Sequence, residues 1–172
     1  MQNIVIIGAT GAGKTTVAAK MAEKLGLKQI QLDELFWQPG WGIPPLDIFI
    51  AGVEMALKED GWVVCGNYTQ LKTLVWEKAD TILWLDYSFL LCFSRLMRRT
   101  LNNILKKKTI CNGNVETWQR VFFSRHSILF WLVTTYTKKR KEYLSAMQDQ
   151  LWKDKFIRLT SPKETRKFLE QL

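Results

Sequence analysis

Eight residues near the start of the chain, Gly8-Ala9-Thr10-Gly11-Ala12-Gly13-Lys14-Thr15, have the types and spacing needed to hold a run of phosphates. Glycines lack a Cβ, so successive backbone N–H groups can turn inward around an anion. The apolar run Ile4-Val5-Ile6-Ile7 comes directly before them and a helical pattern directly after. That strand–loop–helix order is the setting a phosphate-binding loop requires. The helix N-terminus adds partial positive charge. Lys14 has the reach for β- and γ-phosphates, and the Thr15 hydroxyl can bind Mg²⁺. Gly8, Ala9, Thr10, Gly11, Ala12, Gly13, Lys14, Thr15 and Thr16 are therefore the expected cradle for the phosphates of a nucleotide. The competing reading is a glycine-rich turn with no ligand. The flanking strand and helix favour the nucleotide.

A second group lies downstream. Asp86 follows an apolar run, and Arg95 and Arg99 come next with four-residue spacing, which sets both guanidinium groups on one helix face. Arg fits phosphate better than Lys because its planar fork can make two bonds at once. Their plain alternative is surface ion pairing. Asp33 ends the expected strand Gln29-Ile30-Gln31-Leu32; it reads either as a functional carboxylate or as a helix cap.

These residues need a scaffold, and the chain supplies one in a strand–helix rhythm. Strands are expected at Ile4–Ile7, Gln29–Leu32, Trp62–Cys65, Thr81–Leu85 and Phe156–Leu159. Helices are expected at about 14–25, 45–61, 69–79 and 89–105, with Thr69 and Ser88 as caps, and a long stretch over 115–150 broken near Thr134. Residues 106–114 are basic and polar around Asn112-Gly113-Asn114 and read as a loop. Ser161-Pro162-Lys163-Glu164 has the form of a capping box with Pro in the first turn. Short apolar strands alternating with helices imply a three-layer αβα fold with a five-stranded parallel sheet, whose ligands bind beyond the carboxyl ends of the strands.

Composition narrows the function classes. The 172 residues suggest one domain, and 47% hydrophobic content supports a full core. No apolar run approaches the ~20 residues of a bilayer span, so no membrane partner is expected. No secretory signal is read at the start. Three cysteines without close pairing and a single histidine argue against zinc and for a reducing, cytoplasmic setting. Charge is lopsided, with net −3 over residues 1–90 and +12 over 91–172. Such a basic half suits nucleic acid, a polyanionic small molecule or a solvated surface.

The loop spacing, together with the strand–Asp–Arg95–Arg99 layout, resembles the adenylate-kinase-like P-loop superfamily. A closer resemblance is to a bacterial branch known as DNA topology modulation proteins. It rests on Leu32-Asp33-Glu34-Leu35-Phe36-Trp37-Gln38-Pro39-Gly40-Trp41, on Gly66-Asn67-Tyr68 and on the helix start around Cys92 to Arg99. The resemblance implies a single P-loop kinase domain over 1–172 with a helical lid insertion at about 100–135. It implies transfer of the γ-phosphate of ATP to a small acceptor, such as a nucleotide or nucleoside, by a monomer or weak dimer. Lys14, Asp33, Arg95 and Arg99 would be catalytic, and Thr15 and Asp33 would hold Mg²⁺. Arg120 and Arg125 would be lid arginines or plain solvent-exposed cations, as would Arg140 on the following helix; Arg98 would point away, and His126 would be structural. The alternative is a nucleotide-binding regulator associated with DNA. Phe36, Trp37 and Trp41 would cap the core or stack an acceptor base, with the first favoured. One departure stands out. Relatives often carry Asp where this chain has Cys65, and a thiol is a poor partner for Mg²⁺.

Overall fold

The computed structural model describes residues 1–124 and 127–172. Strand β1 (Asn3–Gly8) leads through the glycine-rich loop into helix α1 (Lys14–Leu25). Strand β2 (Lys28–Gln31) runs straight into a short helix α2 (Leu32–Phe36), followed by α3 (Leu46–Ala56). Strand β3 (Trp62–Cys65), helix α4 (Lys72–Lys78), strand β4 (Thr81–Leu85) and helix α5 (Phe89–Leu105) come next. A two-stranded antiparallel hairpin, β5 (Thr109–Ile110) and β6 (Asn114–Val115), precedes α6 (Ile128–Ala146). Strand β7 (Phe156–Leu159) and helix α7 (Pro162–Glu170) close the chain.

The main sheet has the order β2-β3-β1-β4-β7, with every neighbouring pair parallel. Both faces are covered, which is why the central strands read as continuous apolar runs. Ile4, Ile6, Val63, Cys65, Leu83 and Leu85 pack against one helical layer. Val5, Ile7, Val64, Ile82 and Trp84 pack against the other. Each fully buried large side chain contributes about 1.5–3 kcal/mol. Register brings Gly8 beside Leu85, Gln31 beside Cys65, and Leu85 beside Leu159, so the carboxyl ends of all five strands share one edge.

Several elements depart from the sequence expectation. Asp33 does not end a strand; it sits in the first turn of α2, because β2 stops at Gln31. The helix expected over 45–61 spans only Leu46–Ala56, and Pro45 precedes it. Thr69 does not cap α4: a 3₁₀ turn (Thr69–Leu71) intervenes, and the Thr69 hydroxyl accepts from Lys139 Nζ at 2.9 Å. The 106–114 loop contains the hairpin. The stretch 115–150 is not one helix. A π-helical turn (Gln119–Phe123) precedes α6, the break falls before Ser127 and not near Thr134, and α6 ends at Ala146. Ser127 caps α6, its hydroxyl accepting from the Leu129 and Phe130 N–H groups.

The caps at Ser88 and Ser161 form as expected. Ser88 Oγ accepts from Leu91 N–H, and Ser161 Oγ from Glu164 N–H at 3.2 Å. Glu164 departs from the usual reciprocal bond and accepts instead from Thr160 N–H and Oγ, at 2.7 and 2.8 Å. Among the described residues no helix is long and apolar enough to cross a membrane.

One ion triad ties the far side of the sheet together. Asp86, just past β4, is 3% exposed. Its carboxylate accepts from Arg140 Nε at 2.8 Å on α6 and from Arg158 Nε at 3.0 Å on β7. The triad is thus a cross-brace between three elements. Removing one partner of a buried pair costs about 3–5 kcal/mol; part exposure of both arginines lowers that here to about 2–3 kcal/mol. We therefore expect Asp86→Ala to lower the melting temperature by about 5–10 °C, with nucleotide affinity nearly unchanged in a parallel titration.

Candidate active site

The glycine-rich loop owes its shape to close backbone contacts. A Cβ on Gly11 (φ 86°) would stand 2.2 Å from the carbonyl oxygen of Cys92 on α5. A Cβ on Gly8 (φ 145°) would stand 2.6 Å from the carbonyl oxygen of Leu85. Only glycine permits both the conformation and the approach. The loop therefore lies directly on the β4–α5 junction and leads into the N-terminus of α1, whose partial positive charge suits an anion; within the loop the Ala12 N–H donates to the Ala9 carbonyl at 3.1 Å. Lys14 Nζ donates to the carbonyls of Gly8 at 2.9 Å and Ala9 at 3.1 Å, which places the ammonium at the loop mouth. Burial pulls its pKa below the ordinary value, and the negative charge of Asp33 opposes that pull.

Asn67, two residues beyond β3, binds the loop from the other side, its amide N–H donating to the Gly8 carbonyl. Asp33 Oδ1 accepts from the Tyr68 hydroxyl at 2.7 Å. Burial together with that carboxylate raises the Tyr68 phenol well above its usual pKa. Cys65 closes β3 with its Sγ 3.9 Å from Thr15 Oγ1. Burial raises the thiol pKa, so Cys65 is neutral at physiological pH.

Arg95 projects from α5 toward the loop and donates through Nη1 to the Ala12 carbonyl at 3.3 Å. Its guanidinium also lies 5.5 Å from the Tyr87 ring centroid. Lys14, Thr15, Thr16, Asp33, Arg95 and Arg99 all line one groove of about 1340 Å³. The structure thus brings together every predicted site residue from Thr10 to Thr16 with Asp33 and both α5 arginines; Gly8 and Ala9 form the loop floor beneath them. Arg98 is exposed and lies outside the groove lining.

Other expectations are redirected. Arg140 is not a site arginine, because Asp86 holds it. Arg120 lies 4.2 Å over the Trp41 ring and does not line the groove. Arg125 and His126 lie outside the described residues. Phe36 and Trp37 do more than cap the core, since both also line the groove. Trp41 stays behind them, edge-on to Trp37 at 5.4 Å. Its backbone N–H donates to Asn114 Oδ1 at 2.7 Å, and Asn112 Nδ2 donates to the Glu34 and Trp37 carbonyls. The β5–β6 hairpin is thereby latched onto the segment carrying Asp33. Groove residues that sequence reasoning missed include Ile128 and Trp131 on α6 and Arg166 on α7. No local signal marks them, since helix packing alone carries them there.

With Thr15 and Asp33 offering oxygen ligands and Cys65 a neutral thiol, the residues fit Mg²⁺ held largely by the nucleotide itself. Among the described residues, no group of three or more His, Cys, Asp or Glu side chains is placed to hold a metal unaided.

The architecture recurs in known kinases. No family model matches the chain. A shikimate kinase from Sulfurihydrogenibium sp. (strain YO3AOP1) is 28% identical over 144 residues, covering 74% of this chain and 82% of that relative. A gluconokinase from Sinorhizobium meliloti 1021 aligns over 98% of this chain and 91% of its own, with TM-score 0.53 and 19% identity. A shikimate kinase from Acinetobacter baumannii in complex with shikimate aligns over 99% and 90%, with TM-score 0.54 and 16% identity. The chain has the α/β P-loop kinase fold.

Cys111, in the hairpin turn, reports on this arrangement. Burial and the charges of Asp33 and Glu34 push its pKa up to about 11. We expect alkylation at Cys111, read by peptide mass spectrometry, to run roughly 100-fold slower at pH 8 than for a free thiol and to keep rising to pH 10. Asp33→Asn should accelerate it.

Proposed function

We propose that the chain is an ATP-dependent phosphotransferase that moves the γ-phosphoryl group to a hydroxyl of a small acceptor. The observation that carries this reading is the placement of the phosphate loop, Arg95, Arg99 and Asp33 around one groove, with Arg95 bonded to the loop itself. Loop N–H groups and Lys14 grip the phosphates. Arg95 and Arg99 offset charge on the group in transit, a role in which one arginine supplies ~10³–10⁵ in rate. Asp33 orients the acceptor hydroxyl and takes its proton as the new oxygen–phosphorus bond forms and ADP leaves. Tyr68 fixes one Asp33 oxygen and leaves the other for the acceptor. When bound with the nucleotide, Mg²⁺ would be held through Thr15, with Asp33 beside it, and would supply charge neutralisation on the phosphates.

Residues at about 100–135, as the lid, exclude water so that transfer is favoured over hydrolysis. The hairpin latch forms the acceptor-side part of that lid. The finer resemblance, to the DNA topology modulation branch, draws support from where its phrases fall: Asp33, Phe36 and Trp37 of the first and Gly66-Asn67-Tyr68 of the second line the groove. We place the protein in the cytoplasm, as a monomer or weak dimer. The DNA-associated reading is less well supported. Part of the basic excess has structural employment: Arg140 and Arg158 on Asp86, Lys139 on Glu142, Lys155 on the Trp76 and Glu77 carbonyls.

Phosphate transfer from γ-labelled ATP across an acceptor panel tests the proposal. Lys14→Ala should reduce transfer at least about 100-fold. Label released only to water, at a rate indifferent to Lys14, would reject a kinase. Cys65→Asp should lower the Mg²⁺ concentration giving half-maximal rate, because a carboxylate replaces a neutral thiol beside Thr15. Superimposable Mg²⁺ titrations for the two forms would overturn that assignment.

A further inference from the structure

Lys14 donates twice into its own loop, to the Gly8 carbonyl at 2.9 Å and to the Ala9 carbonyl at 3.1 Å. An ammonium group has three N–H donors, so one is left for a ligand. Holding a β- and a γ-phosphate oxygen together takes two, and one carbonyl must then be released. A part-buried carbonyl that loses its donor costs free energy. Each of the two carbonyls has a second donor. The Ala9 oxygen also accepts from the Ala12 N–H at 3.1 Å, a bond within the loop. The Gly8 oxygen also accepts from the side-chain amide of Asn67, 59 residues further along the chain.

The end of β3 is shaped to deliver that amide. Gly66 (φ 148°) approaches α2 so closely that a Cβ on it would stand 2.8 Å from the Leu32 Cβ. The next residue, Asn67, then reaches the loop and lines the groove. Its Oδ1 is buried and, among the described residues, has no hydrogen-bond partner. A buried polar atom left unpaired weakens a fold relative to an apolar side chain of the same shape. Stability therefore does not account for an amide here. What the side chain supplies is the donor to Gly8.

We propose that Asn67 is a positioning residue for the phosphate-binding lysine. It holds the Gly8 carbonyl while Lys14 turns to the nucleotide, so Lys14 leaves the loop without orphaning that oxygen. The inference rests on the nucleotide-binding reading and adds a residue to it. Without nucleotide, two donors share the carbonyl; with nucleotide, Asn67 keeps it alone. Loss of Asn67 leaves the empty protein with Lys14 on the carbonyl and the loaded protein with neither donor, so the cost falls on binding. In a chain that lacks Lys14, the donors to this carbonyl are the same in both states. Loss of Asn67 then costs binding nothing.

A four-protein cycle tests the assignment: the unaltered chain, Asn67→Leu, Lys14→Ala and the double variant, each full-length, with ATP and Mg²⁺ in equilibrium dialysis up to millimolar nucleotide. Leu keeps the branched shape of the amide and lacks the donor. Asn67→Leu should weaken ATP binding at least about fivefold where Lys14 is present, and under about twofold where it is absent. In phosphate transfer the loss should appear in KM for ATP rather than in kcat, because the carbonyl is unpaired in the ground and transition states alike. A second cycle needs no nucleotide. Either single substitution leaves the carbonyl one donor and the pair leaves none, so the double variant should melt about 2–4 °C below the sum of the single shifts. Equal losses of affinity in both backgrounds, a loss in kcat rather than KM, or additive melting shifts would overturn the role of Asn67 and leave a Lys14-dependent kinase intact. An unaltered chain that binds no ATP would remove the nucleotide reading, and this role with it, whatever the melting cycle shows.

Discussion

The contact on which the site depends is backbone against backbone: Gly11 of the phosphate loop against the Cys92 carbonyl of α5, too close for any Cβ between them. It fixes α5 to the loop at one point, and the helix repeat then sets the direction of the side chains beyond it. Three residues on, Arg95 reaches the Ala12 carbonyl; one turn further, Arg99 looks into the same groove. Gly8 makes the matching contact with Leu85, so the loop rests on the last residue of β4 and the first turns of α5 together. A larger residue at either glycine would lift the loop and the arginines apart. Geometry between cations on separate elements is thereby held by a steric constraint, which is stiffer than any surface ion pair.

Behind that junction the polar residues serve the frame. The Tyr87 carbonyl accepts from Tyr136 on α6, and the Tyr87 hydroxyl pairs with Thr165 on α7 at 2.5 Å. Asp86 gathers Arg140 and Arg158. The same two-residue turn that starts α5 thus holds α6, β7 and α7. Position at a sheet's carboxyl edge did not make Asp86 a site residue, because two arginines distant in sequence reach it first.

What could be read in advance divides by range. The phosphate loop, the five strands, and the caps at Ser88 and Ser161 are set by neighbours within a few residues, and they form where the pattern puts them. Asp33 was legible as a groove residue, but its place on α2 was not, since a five-residue helix shows no period of its own. The hairpin around Asn112-Gly113-Asn114 carries a turn signal, but its two-residue strands are too short to show alternation. Its stability comes from the Asn112 and Asn114 bonds to residues 34–41, more than 70 positions away. The partners of Arg120 and Arg140, Trp41 and Asp86, were not legible for the same reason: both are long-range.

The fold alone does not choose an acceptor, and the chemistry around β3 shows why the choice must be local. A neutral Cys65 beside Thr15 would offer a bound Mg²⁺ no hard ligand, while Lys14 and the α5 arginines line the same groove. Under the proposed assignment, charge on the moving phosphoryl group is balanced more by guanidinium and ammonium than by metal.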